Sequence, residues 1–406
     1  MTQREIKKIL LDLSHPRTPG SPEEKDCALY IESLCRQKGL CNTKIETFPL
    51  PDYKEKVAKL LIDGVEVPCR GKPGSVSGRA EAPLYYLSGQ SKTALSQCKG
   101  KVVLTEQKIT AKLYKELLSR GAEGIIAVSG SLCDRDKAPD FYPIRFALEG
   151  DKHIPFVTIH ISSALRILRQ RAKQAKIVTE MVKGEGISHN LLLELPGELS
   201  EAVVLSAHYD STALSCGAFD NLSGVIALLY IAEYLSKKSL RRTVRFLFCG
   251  GEEWGLLGSY AYCQAHREEA SQIKININLD MLGTDMGEFV AFSSADEATA
   301  NILAAFGARH RFPLSVRHAI RSSDSNSFVH IGVPAISFAR YSPAEVVRCH
   351  TPEDTAEIVS PLQLKKDAHL IARFVEFALS NDSLCQNIAI SDSIREEVEK
   401  YFGGRK

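Results

Sequence analysis

Thr243 to Cys249 (TVRFLFC) is a near-continuous apolar run in which Arg245 is the only charge. Its length and its β-branched and aromatic content predict a strand buried on both faces, as inside an α/β sheet. Gly250 and Gly251 end the run, Glu252 and Glu253 follow, and a helix is expected from Leu256. Two further runs of this kind, Ala202–Ala207 and Ile273–Leu279, end in His208 and Asp280. Asn190–Leu195, Phe289–Phe292 and Val333–Ala339 complete the expected strands, and Ser223–Leu235 and Pro361–Leu379 read as helices. Near the start, Ser21-Pro22-Glu23-Glu24 predicts a helix opened by an N-cap, a proline at the first position and a capping-box glutamate. Lys44 to Phe48 then reads as a strand ended by Pro49 and Pro51.

From Pro51 to Gly184 the texture changes to short strand-like runs punctuated by glycine and proline. Leu60–Ile62 and Val65–Val67 flank Asp63-Gly64, a hairpin signal. Leu84–Leu87, Lys101–Thr105, Gly124–Val128 and Phe156–Ile159 follow, interrupted by helices at Ala111–Arg120 and Ser163–Lys173. Asp134, Asp136, Asp140 and His153 fall in the longest loop, which reads as solvated surface. The expected organisation is one α/β domain in two pieces, residues 1–50 and 185–406, around a β-rich insert at 51–184. That α/β domain is expected to hold a mixed central sheet with helices on both faces.

Composition removes several functional classes. A net charge of +2 gives no electrostatic case for nucleic acid or an anionic membrane. No apolar segment reads as a membrane span. The N-terminus MTQREIKKILLDL lacks the apolar core of a signal peptide, which predicts a cytosolic protein. Eleven singly scattered cysteines with no CxxC fit reduced thiols.

Against that background the strand ends stand out. His208, the Glu252/Glu253 pair and Asp280 close three apolar strands, Asp220 lies in a loop that opens a helix, and His350 lies in a late loop. Ligands in open α/β sheets gather beyond the C-terminal strand ends, so neighbouring strands would bring these groups together. The bland reading of the glutamates is an acidic first turn that complements the helix dipole. Imidazole with carboxylate is a zinc-type donor set, and the lack of clustered cysteine points to a catalytic site. Five ligands exceed what one open tetrahedral zinc takes, whereas two metals sharing one carboxylate use them all. Asp210 is placed to hold the second nitrogen of His208.

AHYDS, GAFDN, GGEEWGLLGS, NLDMLG and CHTPEDT resemble, in order, the motifs of the di-zinc aminopeptidases of metallopeptidase clan MH, typified by bacterial leucyl aminopeptidase. The resemblance spans Ser188 to Leu379 and the helix–strand unit before Pro49. It implies that His208 and Asp280 hold one zinc, Glu253 and His350 the other, Asp220 bridges, and Glu252 is the general base. Other divalent metals are compatible with such a site. The implied partners are peptides trimmed from their N-termini, with no nucleic acid or membrane. GKVVLTEQ and SRGAEGIIAVSG make the insert similar to a protease-associated domain, which in such enzymes often covers the active site.

Two departures follow. Several relatives place a tyrosine before the late histidine as oxyanion donor, where this chain has Cys349, so Tyr341, Arg340 and Arg321 become candidates. Many relatives also carry signal peptides. A carboxypeptidase or dipeptidase on the same fold is the alternative, because Arg317, Arg321, Arg340 and Arg348 precede His350 and one could fork onto a substrate carboxylate; surface solvation is their simpler reading. His310 and His318 read as surface residues. A single-zinc glutaminyl cyclase or a metal-free binding module is less compatible with five filled ligand positions.

Overall fold

The structure, a computed structural model, describes residues 1–144, 148, 152–343, 347–386 and 388–403. Of the expected frayed end Gly403–Lys406, residues 404–406 lie outside the described residues. The chain divides into two compact units, Met1–Leu50 with Ile187–Lys406, and Pro51–Gly186.

In the larger unit four strands lie parallel and adjacent: Ala335–Tyr341, Ile273–Leu279, Leu199–His208 and Arg242–Cys249. Glu288–Ser293 adds antiparallel to Ala335–Tyr341 and carries Leu314–His318 beyond it. The end of the strand Gln174–Leu195 adds antiparallel to Arg242–Cys249 on the other side. The sheet is therefore mixed at its margins and parallel at its centre.

The apolar runs lack alternation because both faces are covered. Val203, Leu205, Val244, Phe246, Ile275 and Ile277 pack into one core with the helices Gln3–Asp12, Pro22–Gln37, Ser223–Leu235 and Pro361–Ser380. Val204, Leu247 and Cys249 face the other way, against Tyr262, Cys263 and Phe328. Helices Leu257–Ala265 and Ser325–His330 supply that second layer. The terminal helix Asp392–Phe402 docks there through Ile394, Val398 and Phe402, so it is amphipathic rather than polar all round. The stretch Ala218–Leu235 has the length and hydropathy of a membrane span, contrary to expectation, but is 83% buried inside the fold.

The smaller unit has its own sheet. Gly78–Tyr86, Val102–Thr105, Gly124–Ser129 and Phe156–His160 run parallel in that order. Helix Ala111–Ser119 packs on one face, through Leu113 and Leu117 against Val103 and Ile125. Helix Ile161–Arg169 packs on the other, through Ala164 and Ile167 against Val102 and Leu104. At the hairpin Asp63 and Gly64 have φ 45° and 81°, the left-handed pair a two-residue turn needs.

Several expectations need correction. Pro49 and Pro51 do not end a strand, which runs Thr43–Ile62; proline φ suits extended chain and only a donor is lost. Asp134 is buried, with Oδ2 3.2 Å from His160 Nε2, rather than solvated. Glu24 accepts from Gly20, not from the N-cap Ser21. All eleven cysteines are unpaired thiols, as their spacing predicts.

Candidate metal centre

The parallel strands are in register at their C-terminal ends, with Cys249 opposite His208 and Leu279 opposite Phe338. His208, the Glu252/Glu253 turn, Asp280 and Tyr341 therefore emerge along one edge. After Cys249 the chain needs two glycines. A Cβ on Gly250 would sit 2.6 Å from the His189 carbonyl, and Gly251 has φ 67°. The following helix begins at Leu257, so Glu252 and Glu253 precede it and are not dipole-complementing first-turn acids.

Asp210 fixes that turn. Its Oδ1 accepts the Glu252 N–H at 3.1 Å and its Oδ2 the Glu253 N–H at 3.0 Å. His208 Nδ1 lies 3.5 Å from Asp210 Oδ1 and 3.3 Å from the Asp210 carbonyl oxygen. Asp210 thus aligns both the imidazole and the two glutamates.

Asp220 lies between the histidines. Its Oδ1 is 3.0 Å from His208 Nε2 and its Oδ2 3.0 Å from His350 Nε2. Asp280 Oδ1 is 3.6 Å from His208 Nε2, and Glu253 Oε2 is 3.1 Å from His350 Nε2. The structure thus brings all five ligand candidates together, in two groups that meet at Asp220. His208, Asp210, Asp220, Glu252, Glu253 and Asp280 are buried, while the His350 side chain is 46% exposed.

This packing places five carboxylates around two imidazoles in a largely dry site. Burial opposes charge on His208, yet the carboxylates of Asp210, Asp220 and Asp280 around it raise it well above the usual range. His350 is likewise raised against burial by the Glu253 and Asp220 anions. Burial also opposes the Asp220 charge, but its bonds to His208 and His350 hold that carboxyl below the usual range. Glu253 and Asp280 are raised, chiefly by burial. Asp280 Oδ1 is buried without a hydrogen-bond partner. A site this anionic, with an orphaned carboxylate oxygen and nitrogen donors, fits divalent cations.

Three residues that the sequence did not assign to the site complete it. Asp354, in the late-loop motif, is buried; it accepts the N–H of Phe219 at 2.7 Å and of Asp220 at 3.1 Å. Burial and then the Asp220 anion push it up to about 7. Arg17 is fully buried and donates to the carbonyls of Leu13, His15, Tyr209, Cys216 and Gly217, tying down the loop that leads to Asp220. Glu24 accepts from Gly20, Ser188 and Gly251, and so supports the glutamate turn from below.

The arginines separate. Arg340 is committed to Asp367, with Nε to Oδ2 at 3.0 Å and Nη2 to Oδ1 at 2.5 Å, which removes it as an oxyanion or carboxylate receptor. Arg317 pairs with Glu288, and Arg348 approaches Glu353 at 3.8 Å. Arg321 lies over the rings of Phe292 and Tyr341, 5.0 and 4.9 Å from their centroids. Tyr341 ends its strand beside Asp280, and burial raises its phenol. His310 caps a helix beside Phe306 and His318 ends a margin strand; neither joins the cluster.

Converging histidine and carboxylate donors at the C-terminal edge of a mixed α/β sheet define a metallohydrolase-type site. Comparison with known proteins gives likenesses. Residues 190–375 match the family model Peptidase family M28. It is 28% identical over 393 residues to Aminopeptidase YwaD of Bacillus subtilis (strain 168), covering 90% of this chain and 82% of that one. It is 23% identical over 388 residues to Carboxypeptidase Q of Mus musculus, covering 88% and 81%. Among solved structures, BSAP, a zinc aminopeptidase from Bacillus subtilis, superposes with TM-score 0.79 at 24% identity over 97% of this chain and 98% of that one. An aminopeptidase from Aneurinibacillus sp. strain AM-1 gives 0.72 at 22% identity, over 92% and 93%. These structures share the fold.

Proposed function

We propose that the protein is a zinc-dependent aminopeptidase that removes N-terminal residues from peptides. The observation that carries this reading is Asp220, with one carboxylate oxygen toward His208 and the other toward His350. His208 and Asp280 would hold one zinc and Glu253 and His350 the other, with Asp220 shared. Zinc bound there would lower the pKa of water and polarise a carbonyl oxygen. Glu252 is the general base: it takes a proton from the attacking water and returns it to the departing amine. Asp210 acts as a positioning residue, holding Glu252 and Glu253 through their backbone amides. Segment 51–186 is proposed as a protease-associated-type module.

Removal of C-terminal residues is the second reading, favoured by Arg321, which makes no ion pair among the described residues, and by similarity to Carboxypeptidase Q. A panel of amino-acid anilides assayed beside N-blocked peptides separates the two. Release of free amine from unblocked anilides, with blocked peptides inert, supports the aminopeptidase. Cleavage of blocked peptides with free carboxylates, and none of anilides, would reverse the assignment.

A further inference from the structure

The segment that carries His350 brings a second donor to the same centre. The Cys349 sulfur, an Asp220 carboxylate oxygen and a His350 ring nitrogen all lie within 4.8 Å of one another. Neighbouring residues of an extended chain direct their side chains to opposite sides. Here His350 has φ 57°, a left-handed backbone that bulky side chains seldom adopt, and the two side chains converge. The partner in this contact is itself fixed, because Asp354 accepts the backbone N–H of Asp220. A separate observation shows that the centre is built for cations: Asp280 Oδ1, in the neighbouring group around Asp220, is buried without a hydrogen-bond partner.

We infer that Cys349 is a sulfur ligand of the metal position that Glu253 and His350 share with Asp220. The inference rests on the two-metal reading above. Cys349 would then add a fourth protein donor to Glu253, His350 and Asp220, the number that a closed zinc site takes. The position around His208, Asp280 and Asp220 keeps three donors and an open place. The two positions therefore differ in kind. The sulfur-bearing one is closed and selects zinc over harder cations such as magnesium or manganese, while chemistry belongs to the other. On coordination the thiol proton passes to solvent and the sulfur electron pair goes to the metal.

Cobalt(II) added to the metal-free, full-length protein tests this without relying on turnover. Visible bands from nitrogen and oxygen ligation should grow until two equivalents are bound, and one of the two should also bring a near-ultraviolet thiolate-to-cobalt band. Cys349→Ser and Cys349→Ala should lose the near-ultraviolet band and keep the visible ones. Two bound cobalts with no near-ultraviolet band, or a band that persists in both variants, would overturn sulfur ligation and leave the two-metal reading standing. A chain that takes up no cobalt overturns both. Should the variants fail to fold, the wild-type protein still decides. Zinc should abolish iodoacetamide labelling of Cys349 mapped by peptide mass, and equal labelling with and without zinc would overturn the inference.

Discussion

Asp354 holds Asp220 by its backbone: Oδ2 accepts the Asp220 N–H at 3.1 Å, while the Asp220 carboxylate stays directed at the histidines. The Asp354 carboxyl also takes the Phe219 N–H and the Ser215 hydroxyl, so both of its oxygens accept. Asn at this position would turn an NH2 toward one of these donors. Asp354→Asn should therefore weaken zinc binding about 10- to 100-fold, the usual effect of removing a partner that orients a ligand. Competition with a chromophoric chelator measures it, and an unchanged affinity in a folded variant would show that Asp354 does not act through Asp220.

The adjacent glutamates should behave differently although their backbone amides share one anchor. Glu252→Gln retains the shape but cannot move a proton, so it should keep its metal while turnover falls by about two to four orders of magnitude. Glu253→Gln should lose one metal and regain part of its activity in excess zinc. Metal content and turnover measured together for both variants decide the matter; a Glu252→Gln protein short of metal beside a fully loaded, inactive Glu253→Gln protein would reverse the roles.

Arg17 predicts a folding defect that reaches the site. Arg17→Met removes a donor from five carbonyl groups. The Leu13 and Gly217 carbonyls still accept from His15 and Leu222, whereas those of His15, Tyr209 and Cys216 lose their side-chain donor where each unsatisfied group costs about 1–3 kcal/mol. The expected result is a loss of about 3 kcal/mol or more in urea unfolding, with weaker zinc retention because the loop before Asp220 loosens. A variant as stable as the parent would contradict this role.

What the residues disclosed, and what they hid, follows from the range of the interactions. Strand ends carrying His208, Glu252, Glu253 and Asp280 were legible because two-sided burial produces unbroken apolar runs, and a polar residue closing such a run is conspicuous. Helix Ser223–Leu235 has the bounds its pattern predicts. Strand Leu314–His318 escaped notice because its residues are half-buried or exposed at the sheet margin. The full length of the strand Gln174–Leu195, expected only over Asn190–Leu195, was hidden by Gly184 and Gly186, which punctuate its sequence without breaking its backbone. Arg17 left no trace because most of its partners are main-chain carbonyls almost 200 residues away. Glu24 looked like a local cap and instead reaches Ser188 and Gly251.

Glu24 also sets a pH dependence. Burial, and then the Asp210 anion, raise its carboxyl from an ordinary 4.5 to about 8, against the bonds from Ser188, Gly20 and Gly251. Between those values the fold binds more protons than the unfolded chain, so this group's contribution to stability is fully present below about 4.5 and is lost as pH rises through about 8. Glu24→Gln cannot ionise and should flatten that part of the profile, while lowering stability throughout because its NH2 faces an N–H donor. Urea midpoints across the interval measure it, and parallel slopes in parent and variant would contradict the assignment.

Zinc content per chain reports on the pair of cations joined by Asp220. Metal-free protein dialysed against excess zinc and then freed of unbound metal should hold two zinc ions per chain by elemental analysis, the number that five ligands with one shared carboxylate accommodate. Asp220→Asn, measured alongside, should retain fewer than two. A parent protein that saturates at one zinc per chain, or an Asp220→Asn protein that still holds two as tightly, would show that Asp220 does not join two cations.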